Sequence, residues 1–311
     1  MANLTDFSVN DMRAIAESFG RPRREGRGWR CECPICGSQT LSIQPGRVRA
    51  VIVQCWACND YPTIKKEIAT RGFDVPDIRT SGSVSEKAAD WESRIEYGMK
   101  WRRESIPITG TLAEAYLASR GITADLVPLL TRIFSFHPRV RHPSKAYYPA
   151  MLAPMSYLGA EKRGVHVTFL APDGSGKAKA KPDRASFGPS GNAGVFLGPC
   201  VEGQEYVVGE GIETTLSAMI LAGRELNGGG CLGGVAAISA NGLQNLELRP
   251  EMKHVLIASD VDKNNAGQLA AQNAFDRWTS EGRTVRVAYP PHIGTDFNDI
   301  LLQKGPYAPA Q

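Results

Sequence analysis

The spacing of apolar and polar residues divides the first two thirds of the chain into segments of different character. Residues 8–19 have the spacing of a short amphipathic helix that ends at Gly20. Residues 40–54 are rich in β-branched side chains around a Pro-Gly turn, which predicts a β-hairpin. Helical patterns dominate from 88 to 130, and short strand patterns broken by Pro, Gly and Ser follow from 132 to 200. The middle of the chain is therefore predicted to be helical first and a small α+β unit afterwards.

From residue 205 onwards, short apolar strands alternate with helical patterns. Residues 254–258 form a continuous apolar run, which is typical of a strand buried on both faces of a parallel sheet. Residues 266–278 place their apolar side chains on one face of a helix, and the alternation in 284–289 favours an edge strand. This rhythm predicts a small α/β domain with a mainly parallel sheet.

The composition narrows the class of protein but does not indicate a function. The 311 residues are 42% apolar and 22% charged, as in ordinary globular proteins of two or three domains. No run approaches the roughly 18 consecutive apolar residues that a membrane helix needs. The N-terminus lacks the pattern of a secretory signal, so we expect a cytoplasmic protein without a membrane partner.

Four of the seven cysteines stand as two C-x-x-C pairs, Cys33/Cys36 and Cys55/Cys58, with 18 residues between the pairs. This spacing is typical of a zinc ribbon, in which four thiolates close a tetrahedron around one structural Zn²⁺. Cys31 could replace Cys33, although its spacing to Cys36 makes a poorer turn. The alternative is that these are free, buried cysteines.

Basic residues and aromatic side chains surround the cysteine pairs. Arginines interleaved with rings are typical of proteins that bind single-stranded nucleic acid, because the rings stack on bases and the cations contact phosphates. We therefore predict nucleic-acid contacts at Arg47, Arg49 and Trp56. The alternative is an ordinary solvated arginine surface.

Acidic residues follow two of the predicted C-terminal strands. Glu210 comes after one strand, and Asp260 and Asp262 come after a later one. Side chains just past the carboxyl ends of neighbouring parallel strands converge at one crevice. Carboxylates gathered there would repel one another unless a hard divalent cation, Mg²⁺ or Mn²⁺, neutralises them. Such a site favours phosphoryl transfer.

The charge is unevenly distributed along the chain. Residues 132–184 hold ten basic and three acidic side chains, a net +7, whereas 205–265 hold four and eight, a net −4. A basic surface beside an acidic metal pocket suits a protein that joins nucleotides on a polyanionic template. We predict contacts with template or triphosphate at Lys177, Lys179, Lys181 and Arg184. Alternation of the three lysines would place them on one strand face; the alternative is a solvated loop.

Three motifs resemble those of the Toprim domain, the fold shared by bacterial-type primases, topoisomerases and some nucleases: GEGIETTLSA (209–218), SDVDKNNAGQLAA (259–271) and GTDFNDIL (294–301). The segments YYPAMLAPM, GVHVTFLAPDGSGKAKA and FGPSGNAGVFLG are similar to the basic subdomain that precedes Toprim in phage and plasmid primases. With the zinc ribbon, the resemblance to DnaG-type primases of bacteria, phages and plasmids covers residues 31–304.

The resemblance implies an RNA primase that starts short RNA chains on single-stranded DNA from ribonucleoside triphosphates. It assigns Glu210, Asp260 and Asp262 as catalytic metal-binding acids and Asp296 as a further metal ligand. In replicative primases the last motif commonly has a second Asp two residues on, where this chain has Asn298 followed by Asp299. Because the chain ends just past this motif, a separate replicative helicase is expected as a partner.

The predicted architecture is α/β and has four parts. They are a β-rich zinc-ribbon domain (1–78), a linker with a helix (79–109), a basic α+β subdomain (110–203) and a Toprim domain with a mainly parallel sheet (204–311). Two other functions stay open: a metal-dependent Toprim nuclease, and a catalytically idle module that binds single-stranded nucleic acid. A topoisomerase is less favoured, because it needs gate domains for which the chain has no room.

Overall fold

The computed structural model of the chain describes residues 9–45, 51–55, 57–58, 60–73, 84–127, 129–158, 161–227, 232–261 and 266–302. The chain divides into two compact units, Met1–Ala89 and Asp90–Gln311. Four residues with predicted roles, Arg47, Arg49, Trp56 and Asp262, lie outside the described residues.

The first unit is built around an antiparallel sheet with the strand order β1-β2-β3-β4. Its elements are α1 (Val9–Glu17), β1 (Arg23–Glu25), β2 (Gly28–Cys31), β3 (Leu41–Pro45), β4 (Val51–Cys55) and α2 (Tyr61–Thr70). Strands β3 and β4 pair from Pro45↔Val51 to Leu41↔Cys55, so the predicted hairpin is present. The register places Cys55 at the end of β4, near the turn that carries the other cysteine pair. Helix α2 packs Ile64 and Ile68 into the interior.

The second unit begins with helices. They are α3 (Val84–Arg103, which starts in the first unit), α4 (Leu112–Ser119) and the short α5 (Leu130–Ile133). Helix α3 begins at Val84, inside the predicted linker with a helix (79–109) and before the helical pattern at 88, because Glu, Lys and Ala favour the helix. The helical pattern predicted up to residue 130 does not form a helix between α4 and α5 in the residues that the structure describes. Thr123 O accepts from the amides of Leu126 and Val127 in a single turn, and the proline at 128 has no amide hydrogen to continue it.

The α+β part of the second unit is an antiparallel sheet with the strand order β5-β6-β7-β8-β9. The strands are β5 (Ile106–Pro107), β6 (Ser135–Arg141), β7 (Tyr147–Tyr157), β8 (Glu161–Phe169) and β9 (Arg184–Phe187). Helix α3 lies close to this sheet, since a Cβ on Gly98 would stand 2.5 Å from Phe187 Cβ. This part contains the strand-rich segment that the sequence predicts between 132 and 200.

The C-terminal part has the sheet order β10-β12-β11-β13-β14. Its elements are β10 (Val195–Phe196), β11 (Glu205–Gly209), α6 (Ile212–Asn227), β12 (Gly234–Ala236), α7 (Ala240–Asn245), β13 (His254–Ala258), α8 (Ala266–Ser280), β14 (Thr284–Ala288) and α9 (Phe297–Leu301). Strands β12, β11, β13 and β14 run parallel to one another, and β10 is antiparallel to β12. The α/β fold class with a mainly parallel C-terminal sheet is confirmed.

Candidate functional sites

The four cysteines of the two C-x-x-C pairs form a compact cluster. Their sulfur atoms all lie within 4.8 Å of one another. Cys33 Sγ is 3.7 Å from Cys58 Sγ, and Cys36 Sγ is 3.7 Å from Cys55 Sγ. Four thiolates at about 2.3 Å from a tetrahedral Zn²⁺ stand about 3.8 Å apart, so the spacing is compatible with a zinc site.

Local backbone geometry explains why the cysteines converge. The amide of Gly37 donates to Cys33 O at 2.9 Å, and Gly37 adopts φ +68°, which closes a tight turn around Cys33 and Cys36. Interaction with the Cys33 thiol and with the Thr40 hydroxyl lowers the pKa of the Cys55 thiol well below its ordinary value. Cys31 is buried but lies outside the cluster.

The arginine-rich surface of the first unit is present in part. Arg21, Arg23, Arg24 and Arg27 are exposed. Trp29 is only half-buried, and the guanidinium carbons of Arg13 and Arg24 lie 5.6 Å and 5.1 Å from its ring centroid. The contacts predicted at Arg47, Arg49 and Trp56 lie outside the described residues and stay predictions.

A cleft of about 300 Å³ opens at the carboxyl ends of the C-terminal parallel strands. Glu210 follows β11 and Asp260 lies two residues after β13; the two strands pair directly, which brings both acids to one rim. Asp296 reaches the cleft as the N-cap of α9, where its side chain accepts from the Asp299 amide at 2.8 Å. Gly209 is required at the end of β11, because a Cβ there would stand 2.5 Å from Thr215 Oγ1.

The donor chemistry of this cleft fits a hard divalent cation. Carboxylate oxygens are the ligands that Mg²⁺ prefers, and Mg²⁺ usually keeps several waters and takes only one or two carboxylates. The cleft is not a closed cage, however. Among the residues that the structure describes, the four cysteines are the only group of three or more His, Cys, Asp or Glu side chains whose ligand atoms all lie within 4.8 Å of one another. The carboxylates of the cleft are therefore more widely spaced than the thiols. The metal-binding roles of Glu210, Asp260 and Asp296 stay predictions, as does that of Asp262.

Cationic side chains from the preceding part of the chain face the acids. Arg120, Lys177 and Arg184 line the same cleft as Glu210 and Asp260. The expectation that Lys177, Lys179 and Lys181 share a strand face is wrong. Lys177 forms an isolated bridge with Leu170, and bends follow it up to β9. The burial still alternates, because Ala178 and Ala180 pack against the core while Lys179 and Lys181 are exposed.

From the sequence alone, Glu213 has two equally good explanations: it could join the site, since it lies one helical turn beyond Glu210, or it could be a first-turn acid that the helix dipole favours. It lies in the first turn of α6, where its Oε1 accepts from the Tyr116 hydroxyl at 2.5 Å and pairs with Lys177 Nζ at 3.1 Å. Burial alone would raise the pKa of Glu213, but the Lys177 charge and the Tyr116 hydrogen bond lower it to about 2. Glu213 therefore anchors Lys177 at the edge of the cleft.

Within the described residues, no helix is long and apolar enough to span a bilayer. Residues 205–307 match the Toprim domain family, and residues 92–197 match a domain of unknown function, DUF7146.

Similar proteins include the methionine–tRNA ligases of Borrelia duttonii (strain Ly) and Borrelia recurrentis (strain A1). Each is 26% identical over 141 residues, which cover 42% of this chain and 17% of the ligase. The chain thus spans less than a fifth of these relatives. The crystal structure of the primase fragment of the bacteriophage T7 primase-helicase protein is 15% identical, with a TM-score of 0.41, and the similarity covers 88% of this chain and 94% of that one.

The fold, the motifs and the family match agree on the C-terminal part. The mainly parallel sheet places the first-motif glutamate and the second-motif aspartate at one rim. The four-cysteine cluster of the first unit fits a zinc ribbon, and the combination supports the resemblance to DnaG-type primases. Residues 205–307 of this chain therefore match the Toprim domain family both in sequence and in their mainly parallel sheet.

Proposed function

We propose that the chain is a DNA primase, a nucleotidyltransferase that makes short RNA primers on single-stranded DNA from ribonucleoside triphosphates, as in phage or plasmid replication. One observation carries the proposal. In the Toprim cleft, Glu210, Asp260 and Asp296 face cations supplied by the preceding part of the chain. Joining nucleotides on a template requires this pairing of an acidic metal pocket with a surface for phosphates.

The acidic and the basic residues of the cleft would have different roles. Glu210 and Asp260, with Asp262 and Asp296, would hold Mg²⁺ or Mn²⁺, which when bound stabilises charge on the reacting phosphoryl group. Lys177 and Arg184 would bind phosphate oxygens of the triphosphate or the template. Glu213 keeps the Lys177 ammonium at the cleft. Thr214 orients Asp260 by donating from Oγ1 to Oδ2 at 3.0 Å.

The first unit would supply template recognition. A Zn²⁺ on the four thiolates would be structural, since a closed tetrahedral site leaves no open position for chemistry. The exposed arginines around Trp29 would contact the single strand, with Arg47, Arg49 and Trp56 as further contacts. The proposal also includes a separate replicative helicase as a partner, which none of the described residues identifies.

A primer-synthesis assay tests the function. The full chain is incubated with single-stranded DNA, labelled ribonucleotides and Mg²⁺ or Mn²⁺, and the products are separated by size. We expect short RNA that disappears in Asp260→Asn and persists in the control Asp276→Asn, since Asp276 is an exposed acid of α8 outside the cleft. Shortened DNA without RNA would identify a nuclease instead. Binding of DNA without either product would identify an idle binding module.

A further inference from the structure

We infer that Arg120 is a phosphate-binding residue of the Toprim cleft and that Asn298 is the positioning residue that holds it there. The inference rests on the proposed function for its substrate class, a nucleoside triphosphate or a single-stranded DNA backbone. It assigns roles to two residues that the charge pattern does not single out.

The end of α4 brings Arg120 to the cleft. Arg120 is the C-cap residue of α4, and Gly121 ends the helix with φ +69°. A Cβ on Gly121 would stand 2.9 Å from Leu302 Cδ2, so the end of α4 lies directly against the end of α9. This close approach places Arg120 beside Asn298, although 177 residues of sequence separate them.

Asn298 makes three hydrogen bonds, two with Arg120 and one with Ser217, which holds the Asn298 amide in place. Its Nδ2 donates to Arg120 O at 2.6 Å and to Ser217 Oγ at 3.1 Å, and its Oδ1 accepts from an Arg120 guanidinium N–H at 3.2 Å. Asn298 is 1% exposed, so these bonds are shielded from water. Only an amide donates and accepts in this way; an ionised aspartate would lose both donated bonds.

The Arg120 guanidinium is well placed to bind a phosphate. Among the described residues, Lys177 is paired with Glu213, whereas Arg120 forms no ion pair with a carboxylate. Its guanidinium carbon also lies 5.8 Å from the centroid of the Tyr116 ring. A guanidinium has five N–H donors in a planar fork that matches phosphate oxygens, and only one is used by Asn298. Arg120 lines the cleft together with Glu210 and Asp260, where a phosphate would be required.

Binding without turnover tests the role of Arg120. ATP affinity is measured by calorimetry with Ca²⁺ in place of Mg²⁺, and affinity for an oligo(dT) by fluorescence anisotropy. We expect Arg120→Gln to weaken ATP binding about ten-fold, and Arg120→Lys to restore only part of it, because a point charge replaces the fork. The control is Arg103→Gln, an exposed arginine of α3 outside the cleft and outside the basic segment 132–184. Weaker oligo(dT) binding alone would assign the phosphate to the DNA backbone. Unchanged affinity for both ligands overturns the inference.

A double-mutant cycle tests the role of Asn298. We expect Asn298→Ala to weaken the same ligand about five-fold in the wild-type background, and to have no further effect in the Arg120→Gln background. Effects that multiply would show that Asn298 does not act through Arg120, and would overturn the positioning role. If Asn298→Ala does not fold, Ser217→Ala removes one bond to the same amide and enters the cycle instead.

The outcomes separate this inference from the proposed function. Binding is measured without RNA synthesis, so the two ideas can fail separately. If the wild-type protein makes no primer, while the Arg120→Gln variant binds ATP more weakly than wild type, the primase proposal alone is contradicted. Primer synthesis with unchanged affinity in Arg120→Gln contradicts the inference alone.

Discussion

The two sets of ligands in this chain differ in how they are assembled. The four thiols lie on turns around one antiparallel hairpin, and their sulfur atoms are already within 4.8 Å of one another. The carboxylates come from the ends of separate parallel strands and from the start of α9, and they border an open cleft of about 300 Å³. The first set is enclosed, whereas the second leaves room for a substrate.

The difference indicates separate roles for a Zn²⁺ in the thiolate site and a divalent cation in the carboxylate site. A closed thiolate site uses its metal affinity to stabilise a small unit with little hydrophobic core. An open carboxylate site lies beside three cations, which can bind phosphates next to a metal held by the acids. We therefore expect changes in the first site to affect folding and changes in the second to affect chemistry.

The largest effect is expected from breaking the thiolate site. Cys55→Ser should reduce zinc from about one ion per chain to a small fraction and unfold the first unit, since structural zinc sites contribute on the order of 10 kcal/mol to folding. Zinc content and limited proteolysis measure both effects. Cys31→Ala is the matched control, because Cys31 is equally buried but outside the cluster. Full zinc in Cys55→Ser would contradict the ligand assignment.

The next effect concerns the open cleft. Glu210→Gln should slow primer synthesis by about 100-fold or more, equivalent to roughly 3 kcal/mol, because it removes charge where the phosphoryl group reacts. Its free energy of unfolding should stay within about 0.5 kcal/mol of wild type, as for other sites that are not packed for stability. Glu202→Gln, an exposed acid before β11, is the control. If the free energy of unfolding of Glu210→Gln fell by as much as its activation free energy rose, the two sites would not differ in the way proposed.

A third prediction separates Glu213 from the other acids of the cleft. Its pKa is lowered from 4.5 to about 2, so the ionised form stabilises the fold above pH 4.5, and this contribution is lost as the pH falls towards 2. Glu213→Gln should therefore lower the free energy of unfolding by up to about 3 kcal/mol at pH 7 and by clearly less at pH 3. Urea unfolding of the second unit at both pH values measures this, with the exposed Glu251→Gln as the control. A pH-independent difference would refute the electrostatic explanation.

The smallest effect is expected at the exposed lysines. Lys179→Ala should reduce the slope of log K against log salt for single-stranded DNA by about 0.7, because one phosphate contact is lost. Its effect on affinity at moderate salt should be under about 1 kcal/mol. The control Lys253→Ala removes an exposed lysine just before β13. Equal slopes for both variants would show that Lys179 is merely solvated.

The sequence predicted well what local patterns determine. The hairpin between the cysteine pairs and the strand that ends before Asp260 follow from apolar spacing and turn residues. It failed where an interaction is distant along the chain. Alternation of the lysines near 177 suits either a strand or a solvated loop, and the structure has no continuous ladder there, although Ala178 and Ala180 pack inward. Two equal explanations for Glu213 could not be resolved, because Tyr116 and Lys177 come from other elements.

Anomalous diffraction from crystals of the full chain soaked in Mn²⁺ tests most directly whether the carboxylates of the cleft hold a divalent metal. We expect one or more manganese peaks in the cleft, with carboxylate oxygens of both Glu210 and Asp260 at about 2.2 Å, and loss of such a peak in Asp260→Asn. Manganese that contacts neither residue, or a cleft without a peak at saturating Mn²⁺, would contradict this expectation.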